Sequence, residues 1–340
     1  MSAAGLLARP GGTWNGDAFV VACLFDRAGG GAAFALGDGT LRLVEGRQGE
    51  PAVATAHDGA VLALALDAGK SGFLTGGDDG RLVRTDGAGG TSEVARHAGR
   101  WIEQVASSAE AGLIAYGVGK QAHLIDAKGA PKAIREHPST VAGLAFNPKG
   151  RRLVAAHYGG VSLWWTQSKD ASPKTLEWKG SHLMVSWSPD GAYIVTTTQE
   201  SDLHGWRMAD GADMRMSGYP SKVKSVGWVA RGQFLATSGA EAIICWPFTG
   251  DGPMGKPPIE FALSPNAALV TQVAGHPTRD SVAAGFADGA IRLGHVGSRR
   301  SESLRRPSGV PISALALSPK GDRLAFGDEA GNFGVIETGL

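Results

Sequence analysis

Short apolar runs, each ended by a turn, recur along the whole chain. Within Val141–Trp165, one apolar run ends at Pro148–Gly150, a second covers Leu153–His157, and a third covers Val161–Trp165 after Gly159–Gly160. Proline and glycine at these places supply the backbone conformations of tight hairpin turns. The stretch therefore predicts three short antiparallel strands, which need neighbours of the same kind to bury their faces.

The glycine that closes the first turn of this unit recurs along the sequence. Its positions are Gly31, Gly72, Gly112, Gly150, Gly191, Gly232 and Gly321. Successive steps are 41, 40, 38, 41 and 41 residues as far as Gly232, and Asp280 takes the glycine's place in one further unit. A period of about 40–45 residues with mostly β-type segments is typical of propeller blades. We therefore predict an all-β, closed, eight-bladed β-propeller of four-stranded antiparallel blades, forming one domain over residues 1–340.

Each unit has room for a fourth, outer strand except the last. Val53–Ala56, Ser92–Ala95, Lys132–Ile134 and Thr175–Trp178 are candidates for outer strands, and Thr249–Pro258 is interpreted as an inserted loop. The chain stops at Leu340, before a fourth strand of the final unit could form. We expect the N-terminal segment Ala3–Ala8 to supply that strand, because the pairing would remove two open sheet edges.

Composition and charge limit the function classes. The chain has 43% hydrophobic residues and a net charge of +1, so no global attraction to nucleic acid or membrane is expected. No apolar run approaches the length of a membrane helix, and the start lacks signal-peptide features. Cys23 and Cys245 are isolated and are interpreted as small buried hydrophobic residues. We expect a cytoplasmic protein, and the alanine- and glycine-rich composition favours a bacterial source.

Several unit positions resemble the WD40-repeat (β-transducin-like) family, with degenerate repeats. In the second unit His57 precedes the first strand, Thr75 lies in the second, Asp79-Gly80 forms the next turn, and Asp86 ends the third. Asn147–Gly150, Ser188–Gly191 and Ser318–Gly321 match the family's first-hairpin turn, although no unit has an intact Trp-Asp pair. The resemblance implies a structural hydrogen-bond network within each blade, and seven blades as the alternative count. It also implies a rigid, non-catalytic platform for a protein or peptide partner.

The titratable residues do not predict a catalytic, cofactor or metal site. His57, Thr75 and Asp79 suggest a triad, but threonine is a poor nucleophile without a positioned base and oxyanion hole. We interpret them as structural, and His97 and His137 occupy the equivalent place in their units. Three other histidines are expected at the surface: His157, His182 and His204. The alternative of a hydrolase or quinone-type oxidoreductase would require His157, Glu200, Glu241 and Asp288 to meet at the channel mouth.

Two groups of residues are candidates for binding a partner. Arg100, Trp101, Tyr158 and Lys222 are predicted in turns that open on one face around the central channel. Exposed aromatic and arginine side chains dominate protein-binding hot spots. The second group, Arg299, Arg300, Arg305 and Arg306, could bind phosphates or an acidic segment, or could be a solvated outer strand. A nucleic-acid-binding propeller that uses these four arginines is therefore a second alternative to the scaffold.

Overall fold

The computed structural model describes residues 10–46, 49–69, 71–168 and 172–340. These residues form thirty β-strands and one short 3₁₀ turn, Ala230–Gly232. The prediction of an all-β fold is confirmed.

All but two of the strands have three to six residues. The first fifteen are β1 Pro10–Asn15, β2 Val20–Phe25, β3 Gly31–Leu36, β4 Thr40–Glu45, β5 Ala52–Thr55, β6 Val61–Leu66, β7 Phe73–Gly77, β8 Arg81–Thr85, β9 Thr91–Arg96, β10 Gln104–Ser108, β11 Leu113–Val118, β12 Gln121–Asp126, β13 Pro131–Glu136, β14 Gly143–Phe146 and β15 Arg152–Trp165. The others are β16 Lys174–Trp187, β17 Tyr193–Thr198, β18 Leu203–Arg207, β19 Asp213–Met216, β20 Val226–Val229, β21 Phe234–Thr237, β22 Ile243–Pro247, β23 Ile259–Phe261, β24 Val270–Gly275, β25 Ser281–Phe286, β26 Ile291–His295, β27 Arg300–Arg305, β28 Ile312–Leu317, β29 Arg323–Asp328 and β30 Asn332–Glu337. The predicted inserted loop Thr249–Pro258 lies between β22 and β23.

Hydrogen bonding groups these strands into seven sheets, which corrects the expected eight separate ones and matches the seven-blade alternative. Six sheets have four strands: β1-β30-β29-β28, β2 to β5, β6 to β9, β10 to β13, β20 to β23 and β24 to β27. The seventh is a six-stranded sheet that runs from β14 to β19. All eight sequence repeats are present, and the fourth and fifth are the two that share this sheet.

Two long strands explain the six-stranded sheet. β15 folds back on itself at Tyr158–Gly160. This brings its two ends together, where the Thr166 amide donates a hydrogen bond to the Arg151 carbonyl at 3.0 Å. β16 then pairs with β15 over its first half and with β17 over its second half. One continuous strand therefore serves as the outer strand of the fourth repeat and the inner strand of the fifth.

The strands fall into two compact units, Met1–Val53 with Tyr219–Leu340, and Ala54–Gly218. In the first unit, β1 pairs antiparallel with β30 from Pro10 opposite Ile336 to Asn15 opposite Asn332. An N-terminal strand thus completes the final sheet, as predicted. The strand is Pro10–Asn15, whereas the predicted Ala3–Ala8 lies outside the described residues.

The apolar core of each unit lies between neighbouring sheets. In the first unit Phe34 packs against Phe333 with ring centroids 4.8 Å apart. Hydroxyl groups on innermost strands also join one sheet to the next. Thr271 Oγ1 donates to the Ile312 carbonyl at 2.6 Å, and Ser313 Oγ donates to the Val20 carbonyl at 2.7 Å. Side-chain hydrogen bonds therefore supplement apolar packing where the innermost strands approach each other.

Candidate protein-interaction site

The second repeat contains the hydrogen-bond network that the sequence predicted. His57 Nδ1 donates to Asp79 Oδ1 at 2.9 Å, and His57 Nε2 lies 2.9 Å from Thr75 Oγ1. His57 and Thr75 are buried. Burial alone would raise the pKa of the Asp79 carboxyl, but hydrogen bonds from His57 and the amides of Arg81 and Asp58 lower it. The three residues tie the segment before β6 to β7 and to the turn after β7, which is a structural role.

Related repeats keep this network with different residues. In the fourth repeat Trp164 Nε1 donates to His137 Nε2 at 3.0 Å. In the sixth repeat Trp246 Nε1 donates to the hydroxyl of Tyr219 at 2.6 Å, and that hydroxyl lies 2.7 Å from Thr237 Oγ1. Burial raises the pKa of Tyr219 to about 12, although its hydrogen bonds with Thr237 and Trp246 act to lower it. These polar groups are used inside their own sheets.

The expectation that His157, His182 and His204 lie at the surface is wrong. Their exposed fractions are 2%, 1% and 1%, because each faces inward from its strand. His157 Nε2 lies 2.8 Å from Ser162 Oγ, and His182 Nδ1 lies 2.8 Å from Thr196 Oγ1. His204 stacks on Trp178 with ring centroids 3.9 Å apart, and burial lowers its pKa to about 4. At neutral pH His204 therefore adds no charge beneath the surface.

We call the upper end of a sheet the end where the chain enters the first strand and where the second and third strands are joined. In the second unit, the Ile102 amide donates to the Gly77 carbonyl at 3.1 Å, which holds the approach to β10 on the preceding repeat's turn. The Tyr158 amide donates to Ser139 Oγ at 2.8 Å in the same way. Turns and approach segments at this end are thus fixed by hydrogen bonds.

Two of the predicted partner-binding aromatic residues are exposed at the upper end. Trp101 is 60% exposed and Tyr158 is 57% exposed, and Arg100 beside Trp101 is exposed as well. The first strand of the third repeat begins at Gln104, so Trp101 lies in the approach segment before it. Lys222 is exposed at the upper end of its own sheet in the other unit.

A pocket of about 430 Å³ opens at the upper end of the six-stranded sheet. It was not predicted from the sequence. Its walls include Tyr158, Trp178, Lys179, Glu200, Asp202 and Arg215. Elsewhere in this unit a separate segment approaches each first strand, as residues 97–103 do before β10. At the pocket β16 runs directly from one repeat into the next, so no such segment fills the space.

The charges of this pocket differ in how they are held. Arg215 Nε donates to Asp202 Oδ2 at 2.7 Å, and Asp202 is 5% exposed. The side chains of Glu200 and Lys179 are exposed, and neither has a hydrogen bond or ion pair to another described residue. One arginine–aspartate pair is therefore internally neutralised, while one carboxylate and one ammonium group remain available.

The arginine cluster is an outer strand and its flanks. β27 is the edge strand of its sheet, and Arg299, Arg300 and Arg306 are exposed. Arg305 is only 9% exposed. Its Nη2 donates to Asp328 Oδ2 at 3.1 Å and its Nη1 donates to the Gly289 carbonyl at 3.1 Å. Arg305 is thus committed inside the fold, which leaves three arginines for any ligand.

The described part of the chain also contains cysteine and further acidic side chains. No group of three or more His, Cys, Asp or Glu side chains there could hold a metal ion. Cys23 and Cys245 are free and buried, as predicted, and burial raises the pKa of the Cys245 thiol to about 12. None of the helices in residues 10–46, 49–69, 71–168 and 172–340 is long and apolar enough to cross a bilayer.

Known proteins support the resemblance. No protein-family model matches the chain. WD repeat-containing protein 55 from Homo sapiens is 24% identical over 220 residues, which cover 61% of this chain and 56% of the human protein. The Mus musculus protein of the same name is 24% identical over 217 residues, covering 60% and 54%. The chain thus spans little more than half the length of these curated relatives.

Solved structures show the fold. The structural match to the computationally designed Ika8 protein includes 98% of this chain and 98% of the designed chain. Its TM-score is 0.76 and the sequence identity is 17%. The RRP9 WD40 repeats cover 83% of this chain and are covered to 95%, with a TM-score of 0.64 and 16% identity. The resemblance stated from the sequence is confirmed: the chain has the β-propeller fold of WD40-repeat proteins, with four-stranded antiparallel blades.

Proposed function

We propose that this protein is a non-catalytic interaction scaffold, and that a protein or peptide partner binds the upper end of the second unit. The observation that carries the proposal is the exposure of Trp101 and Tyr158 on an approach segment and a turn that are held by hydrogen bonds. Large rigid aromatic side chains bury much surface at little entropic cost, which is why they anchor interfaces. The relatives are WD repeat-containing proteins, which agrees with a platform role.

The absence of catalysis is part of this proposal. The histidines of the second unit that could act as bases are engaged or buried within their sheets. His57 contacts Asp79 and Thr75, and His137 accepts a hydrogen bond from Trp164. Burial lowers the pKa of His137 to about 4, well below that of a base poised for neutral pH. These groups stabilise the strands instead of facing a substrate.

Quantitative affinity purification from an extract of the source organism tests the scaffold role. The purification compares the wild-type chain with the double variant Arg100→Ala/Trp101→Ala and with Trp165→Ala. Trp165 is a matched control, because it is 50% exposed but lies at the opposite end of its sheet, under Arg152. We expect a partner that the double variant loses and Trp165→Ala keeps. Equal recovery by all three chains would place the binding surface elsewhere.

A further inference from the structure

We propose that the pocket at the upper end of the six-stranded sheet binds a cationic side chain, arginine or lysine, of a partner peptide. This inference rests on the proposed scaffold function and names the chemistry of one contact. The pocket is defined by Tyr158, Trp178, Glu200, Asp202, Arg215 and Lys179.

Aromatic walls are the first argument. Tyr158 is exposed and Trp178 is half-buried, and both line the pocket. One face of Trp178 is covered by His204, whose ring is 15° from parallel to the indole. Because burial keeps the pKa of His204 near 4, the indole is backed by a neutral ring at pH 7. A cation near such aromatic faces gains an electrostatic attraction that an anion does not.

The available carboxylate is the second argument. Glu200 has no side-chain hydrogen bond or ion pair to a described residue, and its Oε2 lies over bare backbone: a Cβ on Gly180 would come within 3.2 Å of it. The positive charge of Arg215 is offset by Asp202 at 2.7 Å. Lys179 also lines the pocket, and its exposed side chain has no hydrogen bond or ion pair to a described residue. Glu200 therefore supplies, beside Trp178, a carboxylate that no described cation neutralises by direct contact.

The turn that carries Glu200 is held rigidly, which favours binding by a preformed site. The Thr198 amide donates to the Asp202 carbonyl at 3.0 Å, and the Gln199 amide donates to the Ser181 carbonyl at 3.0 Å. Ser201 has a φ of 61°, a left-handed conformation that is uncommon outside glycine. Gly180, with a φ of 133°, is the bend of β16 beneath the carboxylate. Such strain collects at sites where geometry serves binding.

Titration of the full chain with a minimal cation tests the inference. The probes are N-acetylarginine methylamide, its neutral isostere N-acetylcitrulline methylamide, and inorganic phosphate. The readout is the indole N–H resonance of Trp178, assigned with Trp178→Phe. We expect a saturable shift with the arginine probe and none with the citrulline probe. Glu200→Gln should weaken binding of the arginine probe by about tenfold, because a charge-assisted contact is lost.

Glu177→Gln is the matched control, because Glu177 is an exposed carboxylate on the same strand but does not line the pocket. It should leave the affinity unchanged. Equal binding of both amide probes, equal weakening by both variants, or a response to phosphate alone would overturn the cationic assignment. Loss of the partner in Arg100→Ala/Trp101→Ala tests the scaffold separately, so the two proposals can fail independently.

Discussion

Arg305 lies within an exposed basic cluster but should act as a structural residue. Its guanidinium is 5.1 Å from the centre of the Phe326 ring and donates to the fully buried carboxylate of Asp328. Asp328 also accepts hydrogen bonds from the Ala330 and Asn332 amides at 3.1 and 2.9 Å. Removing one partner of a buried pair leaves an uncompensated charge and costs about 3–5 kcal/mol. Arg305→Met should therefore lower the free energy of unfolding by about 3 kcal/mol.

Urea unfolding followed by tryptophan fluorescence measures this loss. Arg306→Met is the control, because Arg306 is the exposed neighbour and its replacement should change the free energy by less than about 0.5 kcal/mol. The double variant Arg305→Met/Asp328→Asn should lose less than the sum of its single variants, because it leaves no unpaired charge of this pair inside the fold. Equal, small losses for Arg305→Met and Arg306→Met would refute the reasoning.

Three further predictions concern stability. Deleting Met1–Asn15 removes β1 and exposes the edge of β30, so the chain should aggregate in light scattering; unchanged solubility would contradict this. Thr271→Val removes a 2.6 Å hydrogen bond to the Ile312 carbonyl and should cost about 1–2 kcal/mol in urea unfolding, whereas no loss would mean that packing alone joins these strands. The pKa of His204 is about 4 in the fold against 6.5 for the free side chain, so the folded state binds fewer protons between these values. Stability should fall as pH decreases through that window, and His204→Phe should flatten the dependence; an unchanged profile would exclude His204 as its source.

The sequence predicts local structure well because turn chemistry and repeat spacing fix the hairpins. The predicted outer strands Val53–Ala56 and Ser92–Ala95 are observed as Ala52–Thr55 and Thr91–Arg96. The His57 network follows from residue types that recur at one position of a repeat. The closing strand was misplaced because Pro10 and Gly11 resemble a break, yet an edge strand tolerates both residues since one side needs no pairing.

Features that depend on contacts between repeats were not predictable from single positions. Histidine is a polar residue, so its position in the sequence does not reveal that it is buried. The pleat of the strands turns His157, His182 and His204 inward. The burial of Arg305 depends on Asp328, 23 residues away. The pocket depends on β16 continuing from one repeat into the next. The sequence carried one signal of this continuity. Only four residues, Lys179–His182, separate the predicted outer strand Thr175–Trp178 from the next apolar stretch, which begins at Leu183.

Site-specific photo-crosslinking tests most directly whether the upper end of the second unit binds a partner. A photoreactive phenylalanine analogue replaces Trp101, Tyr158 or Trp165 one at a time in the full chain, and adducts formed in extract are identified by mass spectrometry. The account predicts adducts to one common protein from positions 101 and 158, and none to it from position 165. Adducts to a copurifying partner from position 165 alone would contradict it.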